Sequence, residues 1–259
     1  LAILPADGAP FANFTVETTG GIIFKNGKVT ATGFAALPER NVKISDPDNA
    51  NGLSTEKMSH AFGVPENEKP NWISVENQKI YEKYDGICYD TSGEKYIYLT
   101  FDCGYENGCT ADILDTLKEK KVKAAFFVTM DYIKTAPELV ARMIKEGHTV
   151  GNHSHTHPDF STLSRRQMAD EILDVENVLR SEFGYFAPFF RFPAGNYNES
   201  ALEVVEELGY RSVFWSSAYA DWDTSVVKGA EYAFSTVTKR LHPGCVLLLH
   251  AVSAHNTEA

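Results

Sequence analysis

From about residue 96 onward, short apolar runs alternate with helical patterns, and each run ends on a residue able to do chemistry. β-Prone runs span 96–101, 124–128, 149–151, 189–192, 212–215 and 245–249. Near-continuous apolar strands are buried on both faces, as in parallel sheets flanked by helices. Between the runs, Ser164 and Gln167 form a capping box, and Met168, Ile172, Val175 and Leu179 follow along one helical face. Thr135, Pro137 and Glu138 open another helix that ends at Gly147; a third runs from Glu199 to Leu208 before Gly209. The pattern predicts an α/β fold whose parallel sheet is either doubly wound or closed as a barrel.

The first ninety residues have a different texture. Asn26-Gly27 lies between two short β-prone runs and predicts a hairpin at about 20–33 with a type I′ turn. From about 38 to 70 the chain is rich in Pro, Asn, Asp, Ser and Glu without periodicity, which reads as a loop-rich linker. The expected organisation is an accessory segment over 1–90 and an α/β domain over 91–259.

With 259 residues, 43% of them apolar, the chain has enough material for a full core. Its 24 Lys and Arg against 35 Asp and Glu leave a net charge of -11, which repels phosphate backbones and anionic lipid surfaces, so nucleic acid and membrane are poor partners. The opening apolar stretch, Leu1 to Leu4, is far shorter than the roughly 20 residues of a membrane span, and any leader or anchor is expected to have been removed. Cys88, Cys103, Cys109 and Cys245 show no CxxC spacing, which excludes a zinc-ribbon or thioredoxin-type reading and leaves a Cys88–Cys109 disulfide open.

The polar residues at the strand ends carry the functional argument. The first run leads into Asp102, Cys103 and Glu106, and the third into Asn152, His153, Ser154, His155 and His157. Later runs deliver Arg191, Asp221 with Trp222, and His250. In parallel α/β folds the site lies at the carboxyl ends of the strands, so these residues are expected to converge. His153 and His157 are four apart, which on a helical turn puts both imidazoles on one face, as metal capture requires; His155 would point away. Read as structure alone, Asp102 is an Asx-turn residue and Arg191 an ion-pair partner. Beside two histidines, Asp102 reads better as a catalytic carboxylate, with Arg191 as its partner. His60, His148, His242 and His255 receive no role.

In order, "TFDCG", "HSHTH" with Pro158, "RFPAG", "DW" and "LLLH" resemble the five motifs of the polysaccharide deacetylases, the NodB-homology group or carbohydrate esterase family four. The stretches around "YLTFDCGYENG" and "GHTVGNHSHTHP" are similar to its bacterial peptidoglycan branch, including muramic-acid deacetylases. The resemblance implies a distorted (β/α) barrel with fewer than eight strands. It further implies metal-assisted hydrolysis of N-acetyl groups on peptidoglycan or a chitin-like glycan, outside the cell or at its surface in the bacterial wall.

Carried over residue by residue, Asp102 is the base, His153 and His157 hold a divalent ion, and Arg191 orients Asp102. Asp221 tunes His250, the acid. The N–H of Ala194 stabilises the oxyanion, and Trp222 and Leu248 line the acetyl pocket. The implied ion is zinc, with cobalt or manganese as alternatives.

The sequence departs from the family at Cys103, where a second Asp usually supplies the third metal ligand. Two readings stay open: a thiolate ligand at about 2.3 Å from zinc, or a small buried residue with no metal role. Ala218 stands where the family often has an Asp, and the chain runs only to Ala259, short of the helix and strand relatives usually add after the last motif. A non-catalytic glycan binder on a degenerate scaffold and an amidohydrolase for small amides are the competing functions.

Overall fold

The computed structural model describes residues 2–5, 15–17, 22–25, 28–31, 43–226, 228–254 and 258. Among them, seven strands form one parallel sheet: β1 (Tyr96–Cys103), β2 (Ala125–Val128), β3 (Thr149–Asn152), β4 (Phe189–Phe190), β5 (Arg211–Ser212), β6 (Ser217–Ala218) and β7 (Cys245–His250). Their spatial order is β5-β4-β3-β2-β1-β7-β6. Helices occupy the connections, as a parallel sheet demands: α1 (Thr110–Lys120), α2 (Met130–Thr135), α3 (Pro137–Lys145), α4 (Arg165–Phe183), α5 (Glu199–Glu207) and α6 (Ala230–Thr238). The sheet curls into an incompletely closed barrel, so the barrel alternative, with fewer than eight strands, is the observed one.

The chain after β5 helps to close the curl. Val213 N–H still donates to Phe190 O at 2.8 Å, yet three residues later Ser216 N–H donates to Val246 O at 3.0 Å on the far side. Ile87 fits beside the β5 edge, donating to Ser212 O at 2.9 Å and accepting from Phe214 N at 2.8 Å; Asp90 N–H donates to Gly244 O at 2.8 Å just before β7. These bonds satisfy backbone groups that would otherwise form an open edge. Gly244, at φ +78°, is required there, because a Cβ would meet Asp90 O at 2.1 Å.

Other parts of the first ninety residues also lie against this sheet. A helix over Trp72–Tyr81 is capped by Asn71 and stacks its Tyr81 ring on Phe214, 4.0 Å between centroids. Ala2–Pro5 pairs antiparallel with the first half of β1, whereas Thr15–Glu17, Ile22–Lys25 and Lys28–Ala31 form a separate antiparallel sheet. The Asn26-Gly27 turn and residues 38–42 lie outside the described residues.

The expected capping box of α4 forms, with Ser164 and Gln167 bonded reciprocally, and Met168, Ile172, Val175 and Leu179 are buried along it. All four cysteines are buried and none is in a disulfide, which removes the Cys88–Cys109 alternative. Among the described residues, no helix is long and apolar enough to cross a membrane.

Candidate active site

The carboxyl ends of β1, β3, β4 and β7 bring two ion pairs and a histidine pair to one mouth. The register places His250 directly opposite Asp102 on neighbouring strands, which stand about 4.8 Å apart, with Leu248 two pairs deeper opposite Thr100. Arg191, fully buried, donates from Nη1 to Asp102 Oδ1 at 2.7 Å and from Nη2 to Thr100 Oγ1 at 2.9 Å. Its Nε donates to Val213 O at 2.9 Å, and its guanidinium lies 4.1 Å from the centre of the Phe127 ring. Gly151 makes room for that ring, since a Cβ there would meet Phe127 Cδ1 at 2.5 Å.

Burial alone would raise the Asp102 pKa, but Arg191, His153 and His250 together hold its carboxyl below the usual 3.8. It is therefore ionised at neutral pH. Its Oδ2 stands 3.5 Å from His153 Nε2.

His153 and His157 face each other edge-on, with ring centroids 4.9 Å apart. The helical turn expected over "HSHTH" is absent. Ser154 (φ 72°) and His157 (φ 57°) adopt left-handed conformations, and His157 N–H donates to Ser154 Oγ at 3.1 Å, so a tight loop brings the rings together. His155 leaves the site and pairs with Asp174 at 2.8 Å.

The loop is held from behind by a buried chain of hydrogen bonds that sequence spacing did not reveal. Asn152 Oδ1 accepts from Ser154 N–H at 2.9 Å, its Nδ2 donates to Tyr210 Oη at 3.2 Å, and Tyr210 donates to Glu176 at 2.6 Å.

Both imidazoles suit a divalent cation. Nδ1 of His153 contacts the Arg191 carbonyl at 2.8 Å, so it carries the proton and Nε2 presents its lone pair towards the mouth. Desolvation lowers the His153 pKa to about 4 and lowers His157 as well, which keeps them in the neutral, ligating form.

Cys103 is fully buried in the hydrophobic core, and burial, with the charges of Asp102 and Glu106, pushes its thiol well above 9.0. Among the described residues, no three His, Cys, Asp or Glu side chains are placed to hold a metal ion together. The donors that the site offers are therefore the imidazoles of His153 and His157.

At β7, His250 Nδ1 pairs with Asp221 Oδ1 at 2.8 Å, and His250 N–H donates to Asp221 Oδ2 at 2.7 Å. Burial lowers the His250 pKa, but the hydrogen bond and charge of Asp221, with Asp102, outweigh this and hold it above 6.5. Asp221 is fully buried, whereas Trp222 beside it is 61% exposed on the rim. Ala194 sits in a left-handed turn (φ 51°, ψ 12°) just after Arg191, strain of a kind that clusters at functional sites.

A profile of the polysaccharide deacetylase family matches residues 89–213. The chain is 40% identical to the peptidoglycan-N-acetylmuramic acid deacetylase PdaA of Bacillus subtilis over 211 residues, 81% of this chain and 80% of that one. It is 33% identical to a peptidoglycan-N-acetylglucosamine deacetylase of Bacillus cereus over 84% of this chain and 77% of that one. The solved structure of B. subtilis PdaA, a family 4 carbohydrate esterase, superposes with a TM-score of 0.76 at 39% identity, covering 80% of this chain and 88% of that one. Sequence, sheet order and similarity over four fifths of the chain agree: it belongs to the polysaccharide deacetylase family, carbohydrate esterase family four.

Proposed function

We propose that the chain hydrolyses N-acetyl groups on peptidoglycan amino sugars, with a divalent ion held by His153 and His157, in the bacterial cell wall outside the membrane. The observation that carries this reading is the pair of oppositely tuned groups facing each other across the mouth. Arg191 holds the Asp102 pKa down, and Asp221 holds the His250 pKa up. Enzymes that need a base and an acid at one pH separate them by environment in this way.

When bound, a divalent ion lowers the pKa of a water ligand to about 7 and polarises the acetyl carbonyl. Asp102 then takes a proton from the attacking water, while Arg191 fixes its orientation. His250 gives a proton to the amide nitrogen as the C–N bond breaks, which releases acetate and leaves a free amine on the sugar. The N–H of Ala194 donates to the oxyanion, and Leu248 and Trp222 border the acetyl methyl. The two PdaA and N-acetylglucosamine deacetylase relatives support peptidoglycan as the substrate class.

Buried Cys103 favours a second reading, a glycan-binding scaffold without turnover. One experiment separates them. Protein supplied with zinc, cobalt or manganese is incubated with muropeptides and chitin oligomers, and released acetate is measured while mass spectrometry locates the deacetylated sugar. Acetate from muropeptides is expected; none from any substrate, with His250→Ala indistinguishable, overturns the hydrolase and leaves the binder.

A further inference from the structure

Among the described residues, the exposed large apolar and aromatic side chains are few, and two of them, Tyr105 at 47% and Trp222 at 61%, stand on loops at the carboxyl ends of the sheet. Of the others, Trp72 begins an N-terminal helix, Tyr232 and Phe234 belong to α6, and Val64 and Val226 are aliphatic, Val226 on the Trp222 loop.

The two loops are fastened to the same short segment, the one that carries His250. Asp221, next to Trp222, binds both the backbone N–H and Nδ1 of His250. Asn107, two residues past Tyr105, donates from Nδ2 to Val252 O at 2.8 Å.

The Tyr105 loop is also built rigidly from within. The Glu106 carboxylate accepts from Gly108 N–H at 2.6 Å, from Thr110 N–H at 3.4 Å, from the Thr110 hydroxyl and from buried Tyr132 at 3.0 Å. Glu106 and Asn107 thus hold the loop while the Tyr105 ring remains half in water. Leaving so much apolar surface exposed on an ordered turn forgoes burial energy that a polar residue would not need.

We propose that Tyr105 forms an aromatic platform for a sugar ring flanking the one that is deacetylated. This rests on the proposed reaction for its direction. His250 protonates the sugar nitrogen, and the Tyr105 loop is pinned to Val252, two residues beyond it, so this loop borders the glycan while Trp222 keeps its place beside the acetyl methyl. A tyrosine ring suits that ligand, because its face packs on the C–H face of a sugar while its hydroxyl reaches the sugar's hydroxyls. Its rigid mounting reduces the ordering cost of binding.

The test compares Tyr105→Ala and Tyr105→Phe with the parent on peptide-stripped glycan strands of peptidoglycan and on the single disaccharide repeat. Tyr105→Ala is expected to raise KM on the strands by about 3- to 10-fold, with kcat unchanged and the disaccharide little affected, and Tyr105→Phe to restore most of the loss. An unchanged KM on strands, an equal rise on both substrates or a fall in kcat overturns the platform. Calorimetric Kd values for the strands separate this idea from the reaction. Acetate release with Kd indifferent to Tyr105→Ala removes the platform alone, and Tyr105-dependent binding without acetate removes the reaction alone.

Discussion

Replacing Arg191 by alanine is expected to cost about 3–5 kcal/mol of folding free energy and to abolish acetate release. The side chain is fully buried, and its guanidinium satisfies Asp102, Thr100 and the Val213 carbonyl while resting on Phe127. Its removal leaves the buried Asp102 carboxylate without its direct ion-pair partner, the costly half of breaking a buried pair. Lysine keeps the charge but lacks the planar fork that reaches these partners together, so Arg191→Lys should lose most of the same stability.

The acid side of the stability curve should change as well. Asp102 is held below its unfolded value near 3.8, so its contribution is present above that pH and is lost as pH falls through the folded value. In Arg191→Ala much of this contribution disappears, and the variant's deficit should be larger at pH 7 than at pH 2. Urea unfolding at both pH values reads the difference; a deficit under about 1 kcal/mol at pH 7 contradicts the role given to the pair.

The second large effect belongs to His250. Exchanging it for glutamine should lower kcat by about 10²- to 10⁴-fold, the usual contribution of a general acid. The parent's rate should fall as pH rises through the raised folded pKa, which lies above 6.5, because the proton needed by the leaving nitrogen is then gone. The stability that the charged His250–Asp221 pair supplies follows the same sign: it is fully present below about 6.5 and is lost as pH rises through the folded value. His250→Gln should lose the alkaline limb of the rate profile. A variant with the parent's alkaline limb intact assigns the proton to another group.

Much of this site was legible in the sequence because the chemistry sits at fixed places relative to buried strands. Asp102, Arg191 and His250 each close or follow an apolar run, and a parallel sheet brings those ends to one edge. Helix α4 announced itself through its capping box and buried face, both local features.

What escaped was non-local or conformational. Ser217–Ala218 is a strand of two residues, too short for any periodicity, and it exists because Leu247–Leu248 offers it a partner. The place of residues 87–90 beside β5 and β7 is likewise decided by distant backbone groups. The "HSHTH" spacing correctly suggested two neighbouring imidazoles but for the wrong local reason, since non-glycine left-handed residues at Ser154 and His157 leave no periodic signal. The Glu106 and Asn152 networks were hidden for the same reason, their partners being 26 to 58 positions away in Tyr132 and Tyr210. For Cys103, thiolate ligand and buried thiol are both readings of the sequence; its side chain is fully buried, and burial with two nearby acids raises its thiol pKa.

The central claim is that the strand ends form one working deacetylase site rather than a preserved shell. Acetate release from peptidoglycan by the parent and by Asp102→Asn, measured with zinc and with a chelator on protein whose fold is checked by circular dichroism, tests it most directly. Turnover by the parent is expected, with its suppression by the chelator and a rate at least about 10²-fold lower for folded Asp102→Asn. Equal rates for parent and variant, or no acetate from a folded, metal-supplied parent, would contradict it.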